Sequence, residues 1–437
     1  MADEKLFEVG AAVPSKENSA VGTPRVQHPV RNQLEWVSSD LDSLLPDEHQ
    51  ARTVWSYIET IDLSTAYAAI RAVEGMAGRP PIAPEILLAL WLYATLEGVG
   101  SARALAKLCE EHLAYRWLCG GVSVNYHTLS DFRSQSGALL NSLLTDSVAR
   151  LRAAGAVTLN RVAHDGVRVR ASAGRNSFKR KGKLERFRLE AATQVQTLKQ
   201  ELEADPVTCD KRRKAARERA AQERQARVKA ALKVYPQVKA ERKHAKEKAR
   251  ASTTDADARI MHMSDGGFRP AYNVQLTTDT GSQAIVGVEV ISNGSDGGQL
   301  QPAVQQVQAR YGVTPREALA DGGYAKREDI EQLAAAQPPC TVYAPPPELK
   351  TRDGRTIAPP ANESAAVKEW RERMKTEPAQ EIYRERASTA ECVNAQARNR
   401  GLQQFVVRGL KKVLSVVLLF ALAHNIVRMV ALLGGIG

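Results

Sequence analysis

Apolar residues between positions 31 and 155 recur at three- and four-residue steps, the period of helices with one buried face. APEILLALWLYATLEGVG has Pro84 near a helix start and Gly98 and Gly100 near its stop. SARALAKLCEEHLAYRWLCGG follows with Ser101 as an N-cap, and YHTLSDFRSQSGALLNSLLTDSVARLRAAG makes a third such unit. Short helices joined by tight turns can form a helix-turn-helix DNA reader or simply a bundle. After Gly155 the period changes to two: VTLNRVAHDGVRVRASAG alternates apolar with polar and is rich in Val, predicting a strand pair or one long strand. Alternation returns in AYNVQLTTD (271–279) and AIVGVEVISNG (284–294), joined at a Thr-Gly-Ser turn that suits an antiparallel hairpin. A helix ending at Gly312, a short strand in REALADGGY, the helix KREDIEQLAAAQ and the strand CTVYAPP come next. Residues 346–378 are polar and rich in Pro and charge, predicting a loop. Two helices follow it, AQEIYRERASTAECVNAQARNRG and VRGLKKVLSVVLLFALAHNIVRMVALL.

Composition changes this picture in one place. Residues 178–250 are rich in Ala, Glu, Lys and Arg, break around DPVT at 205–208, and predict a helical hairpin. They hold 23 Lys and Arg against 10 Asp and Glu, so this one segment carries the whole excess behind the chain's net charge of +12. Such a segment is either a solvated helix pair or a contact surface for a phosphate backbone. Elsewhere 437 residues, 43% hydrophobic and 25% charged, suit two or three globular domains and argue against a membrane transporter or wholesale disorder. Five scattered cysteines without C-x-x-C spacing suggest neither a disulfide framework nor a zinc site, and fit a reducing cytoplasm. Residues 1–30 lack a basic-then-apolar signal and read as a polar, disordered lead-in. VLSVVLLFALA (413–423) is too short for a membrane span and is followed by His424, Asn425 and Arg428, which predicts a buried helix and no membrane partner.

Three acids stand where chemistry can be built: Asp165 within the first strand, Asp321 at a strand end before two glycines, and Glu391 on a late helix. Asp321 alone could simply serve a turn. Together, three carboxylates can hold Mg²⁺, and two such ions can activate an attacking oxygen and stabilise a leaving one in phosphodiester chemistry. On an ideal α-helix Arg384 and Arg398 each fall within about 20° of Glu391 with Asn394 beside them, whereas Arg386 points roughly 140° away from Glu391. His164 alternates to the strand face opposite Asp165 and is expected to be structural or solvent-facing. Asp296 is expected to cap the following helix, and Asp255 and Asp257 to be linker residues or caps. Tyr324 and Tyr383 suit either DNA packing or core edges.

HDGVRVRASA around Asp165, YNVQ at 272–275, SDGGQL at 295–300, ADGGY around Asp321 and the Y-R-E-R-x4-E-x2-N-x3-R run from Tyr383 to Arg398 occur in an order that resembles the DDE transposases of bacterial insertion sequences. GRPPIAPEILLALWLYATLEGVGSAR is similar to the N-terminal domain of that family. The resemblance implies an α/β fold: a ribonuclease H-like mixed sheet flanked by helices, with an N-terminal all-helical domain and a long helical hairpin insertion. Its domains would be a helical DNA-binding domain at 31–155 and a catalytic domain at 156–437, interrupted by the basic insertion 178–250 and the loop 346–378. It further implies Asp165, Asp321 and Glu391 as catalytic, metal-binding triad, two Mg²⁺ ions with Mn²⁺ able to substitute, and a homodimer on DNA ends and target DNA in the cytoplasm at the nucleoid. Arg384, Arg386, Asn394, Arg398 and, in the hairpin, Lys211, Arg212, Arg213 and Lys214 are the DNA-contact candidates. The function implied is cleavage of the element's ends and their transfer to target DNA. Its rivals are a nuclease of the same fold that never joins strands and a transposase-derived DNA-binding protein without catalysis.

Overall fold

The computed structural model describes residues 40–70, 80–204, 211–242, 244–347 and 362–435. The lead-in 1–30 lies outside the described residues. From Gln50–Thr60 to Gly137–Ala153 the secondary structure among the described residues is helical. The capping signals are used: Pro84 opens its helix, Ser101 Oγ accepts from Ala104 N, and Asn125 Oδ1 accepts from Thr128 N at 3.0 Å. Helix Pro84–Leu96 is apolar on every side, so it is buried on every side from Leu87 to Ala94 and forms the middle of this region.

Among the described residues eight strands follow: β1 (Arg161–Arg170), β2 (Phe178–Lys179), β3 (Ala251–Ser252), β4 (Arg259–His262), β5 (Phe268–Asp279), β6 (Ile285–Ile291), β7 (Glu317–Leu319) and β8 (Thr341–Tyr343). β1 is one long strand. It runs antiparallel to β5 and parallel to β7, β8 extends the parallel side, and β4 and β6 both pair with β5. The order β6–β5–β1–β7–β8 with these senses, helices on its faces and a helical region ahead of it, is a ribonuclease H-like fold with a helical extension. The stretch 346–378, expected as a loop, contains the helix Ala365–Arg373. Its buried apolar residues, Val367 and Trp370, lie three apart on one face, and Trp370 Nε1 donates to the Ala344 carbonyl just past β8 at 3.0 Å.

The basic segment leaves and rejoins the sheet through the paired strands β2 and β3 and forms the helices Lys181–Ala204 and Lys211–Ala240. They pack on each other through Leu184 with Ala231 and Tyr235 near the base, and through Val195, Leu198 and Ala221 farther out. Charge is unevenly divided along this stalk. The base, residues 178–188 and 228–250, holds 14 Lys and Arg against 3 Asp and Glu, and the distal part, 189–227, holds 9 against 7. Lys211, Arg212, Arg213 and Lys214 belong to the distal part, and the side chains of Lys211 and Arg212 lie outside the described residues.

The helix Leu410–Leu433 is long and apolar enough to cross a membrane, but most of it is buried within the fold, against β6, Gly137–Ala153 and Pro84–Leu96. It thereby joins the helical region to the sheet. Asp255 and Asp257 serve as caps here, accepting from Gly409 N and Leu410 N at its start. Its polar residues explain themselves: Asn425 accepts from Ile285 N at 2.8 Å and donates to Ile285 O at 2.9 Å, while His424 bonds the Gln283 carbonyl. Gln306 does the same for the N–H and C=O of Val288, and Tyr311 donates to Val286 O. From Ile285 to Val288 the outer margin of β6 is thus covered by side chains. Asn425→Ala strands two buried backbone groups and is expected to cost roughly 2–5 kcal/mol, read from urea unfolding.

Candidate active site

Asp165 sits in the middle of β1, and the parallel pairing of β1 with β7 delivers Asp321 to it. Leu319, the last residue of β7, is in register with Ala163. Asp321 and Asp165 each lie two residues past that pair, and the negative charge of Asp321 acts on Asp165. Beyond Asp321 the chain turns at once: Gly323 N donates to Asp321 Oδ1 at 2.6 Å, and a Cβ on Gly322 would stand 3.0 Å from the Pro345 carbonyl. The turn therefore orients the carboxylate and leaves Oδ2 for other work.

Glu391 comes from the helical run behind the sheet, and here the structure corrects the ideal-helix expectation. Glu377–Arg386 and Cys392–Asn399 are α-helical, but Ala387–Glu391 between them is a π-turn. Its i→i+5 spacing places residues five apart above one another. Arg386 consequently shares the face of Glu391: its Nη2 lies 2.6 Å from Glu391 Oε1 and its Nη1 3.7 Å from Asp165 Oδ2. Arg384 and Arg398, which a continuous α-helix would align with Glu391, are exposed and make no ion pair among the described residues. Asn394 Nδ2 donates to Asp165 Oδ2 at 3.0 Å, and Asn394 Oδ1 is buried without a hydrogen-bond partner. Arg386 thus stands between Asp165 and Glu391, with Asp321 beside Asp165 on the next chain. Among the described residues no three His, Cys, Asp or Glu side chains are gathered closely enough to form a metal-binding group.

Burial raises the Asp165 carboxyl above the ordinary aspartate range. The Gly166 N–H and Arg386 oppose this, and the negative charges of Asp321 and Asp296 add to it. A carboxyl raised by folding favours the fold only at low pH, and that contribution is lost as pH rises through the raised value. Asp165→Asn is therefore expected to melt at a higher temperature than the parent without divalent ions, by a margin that widens as pH rises from below the ordinary aspartate value of 3.8.

The opposite face of β1 holds a buried polar network that the sequence reading missed. His164 is fully buried, bonding Gln275 Oε1 at 2.8 Å and Thr277 Oγ1 at 2.9 Å, and burial pushes its pKa down to about 4, so it is neutral and structural. Tyr324 donates to Gln275 Oε1 at 2.8 Å. Asp296 does not cap the next helix. Its carboxylate takes Arg168, Asn273 and Gln275 as donors, while only its backbone carbonyl meets Gln299 N. Gly166 makes this possible, because a Cβ there would fall 2.6 Å from Gln275 Nε2 and 2.7 Å from Tyr324 Oη. The available signal was on β5, where Asn273, Gln275, Thr277 and Asp279 put polar side chains at every second position of a buried strand.

A family model of a transposase domain (DUF772) matches residues 39–135, the helical region. A model of the transposase DDE domain matches residues 335–430, which include Arg386, Glu391 and Asn394. The chain thus carries transposase-type domains at both ends, in the architecture of a DDE transposase. No curated protein and no solved structure matches it.

Proposed function

We propose that the protein is a transposase that binds the ends of its insertion sequence, cuts there and joins the freed ends to target DNA. The observation that carries this reading is the bridge that Arg386 makes from Asp165 to Glu391, with the charge of Asp321, just past the end of β7, acting on Asp165. Carboxylate oxygens are the donors that Mg²⁺ prefers, and the Asp165 carboxyl, raised chiefly by burial and further by the negative charges of Asp321 and Asp296, would be eased by added positive charge. Arg386 now supplies that charge, as a stand-in for a cation. The donor chemistry suits the ion: Asp165, Asp321 and Glu391 would hold it once Arg386 turns away and the three carboxylates draw together. Bound there, Mg²⁺ would activate the attacking oxygen and stabilise the leaving one.

The chain's own residues do the rest. Asn394 and the Gly166 N–H fix the Asp165 carboxylate, and the Gly323 N–H fixes that of Asp321. Arg386, released from the acids, pairs with the scissile phosphate. In the first step a water oxygen bonds to phosphorus and the 3′ oxygen departs as a hydroxyl. In the second, that hydroxyl bonds to a target phosphorus and displaces the target's 3′ oxygen. This second step makes one phosphodiester for the one it breaks, so joining needs no external energy source. The helical region and the basic stalk hold the DNA, two copies of the chain pair the two ends, and the reaction belongs to the cytoplasm at the nucleoid.

Joining of pre-cut, labelled element ends to a plasmid in Mg²⁺ tests this. Joined product is expected; cleavage without joining would make the protein a nuclease, and a gel shift with neither would make it a binding protein. For the stalk, deleting residues 180–248 should flatten the fall of affinity with salt, which is about 0.9 in log–log slope per neutralised phosphate. Excising only 189–227, whose charges nearly cancel, should leave most of that slope.

A further inference from the structure

At the foot of the stalk, where it meets β4 and the chain after β6, lies a cleft of about 470 Å³. Arg175, Arg242, Lys248 and Arg250 reach into it from three separate segments, all exposed and none in an ion pair among the described residues. The acid in its lining, Glu241, is already paired with Arg259 at 3.1 Å, so the four positive charges are left uncompensated. The cleft also lies within the base of the stalk, where the segment's charge excess is concentrated. Its apolar part is unusual for a solvated basic patch. Phe268 stands 58% exposed at the tip of the β4–β5 hairpin with the His262 ring edge-on at 5.3 Å, and Ile260 is exposed beside it.

We propose that this cleft binds an unpaired DNA strand, with its cations along the phosphates and a base stacked on Phe268. The inference rests on the transposase reading and adds a second DNA site to it. Cations interleaved with an exposed ring suit a single strand, whose base faces are open; a duplex keeps those faces stacked and would leave the ring unused. The cleft is tied to β1 on the face opposite Asp165. Arg168 donates to the carbonyl of Gly294, a lining residue, and Arg168 is three residues from Asp165, about 10 Å along β1.

The test uses full-length protein carrying Asp321→Asn, in EDTA, with a fluorescein-labelled oligo-dT and a duplex of equal length followed by anisotropy. Phe268→Ala is expected to weaken oligo-dT binding about tenfold and leave duplex binding unchanged. Arg175→Ala with Arg250→Ala should reduce the oligo-dT salt slope by roughly 0.7 per lost cation. These residues are exposed, so unchanged melting curves will certify the fold. Equal loss for duplex and oligo-dT would make the cleft a duplex contact and overturn the proposal. So would unchanged oligo-dT affinity accompanied by a shift of the variant toward monomer in sedimentation, which would make Phe268 a contact between copies. Because no metal or cleavage enters the assay, failure of strand joining and failure of this site give separate results.

Discussion

Asp321→Asn and Glu391→Gln proteins are expected to lose Mg²⁺-dependent strand cleavage by roughly 10³-fold or more while binding DNA as well as the parent. Each change removes one negative charge and almost no volume. The carboxamide that replaces the Asp321 carboxylate can still accept from Gly323 N, and Glu391 is 55% exposed, so neither substitution disturbs the packing. The loss can then be assigned to the chemistry. Gel-based cleavage of labelled ends, alongside anisotropy on the same DNA, makes the comparison. Undiminished cutting by the Asp321→Asn protein in Mg²⁺ would remove the acid from the mechanism.

The second large effect concerns Arg386, placed between Asp165 and Glu391 with only 14% of its side chain exposed. A fixed positive charge there competes with a divalent ion for the same oxygens, and like charges at such range repel by several kcal/mol in a partly buried site. Arg386→Met keeps the length and removes the charge. The free protein should then bind Mn²⁺ about tenfold more tightly, measured by titration calorimetry in the absence of DNA. Cleavage should nevertheless fall, because the phosphate loses its partner. Unaltered Mn²⁺ affinity would show that the guanidinium does not keep the ion out. In the parent protein the same competition makes DNA and metal bind cooperatively, since a phosphate that draws Arg386 away vacates the acids.

The sequence carried much of this architecture because its signals are additive over many residues. The helical region, the long alternating strand at 161–170, the hairpin from 271 and the stalk helices each declare themselves through a period repeated several times. What escaped is short or lies in phase rather than composition. β4 has only four residues, and Ala365–Arg373 shows two buried apolar residues among polar ones, too few to establish a repeat. The π-turn is the instructive case. ASTAE is good helical sequence, and nothing in its composition says that the helix widens there, yet that single change swings Arg386 onto the face of Glu391 and leaves Arg384 and Arg398 in solvent. Asp296 was misjudged for a different reason. A carboxylate just ahead of a helix usually caps it, but three donors on β1 and β5 bind it more strongly than one helix N–H.

The closure of β6 has a consequence for handling the protein. A strand with free N–H and C=O groups along one side invites a strand from another molecule, and here Asn425, Gln306 and Tyr311 occupy those groups from within. Truncations that remove the C-terminal helix would therefore do more than shed apolar surface. They would unveil the N–H and C=O of Ile285 while Gln306 and Tyr311 still cover Val288 and Val286, so a short template for intermolecular pairing opens at the start of β6, and such fragments should show intermolecular β signal in the infrared.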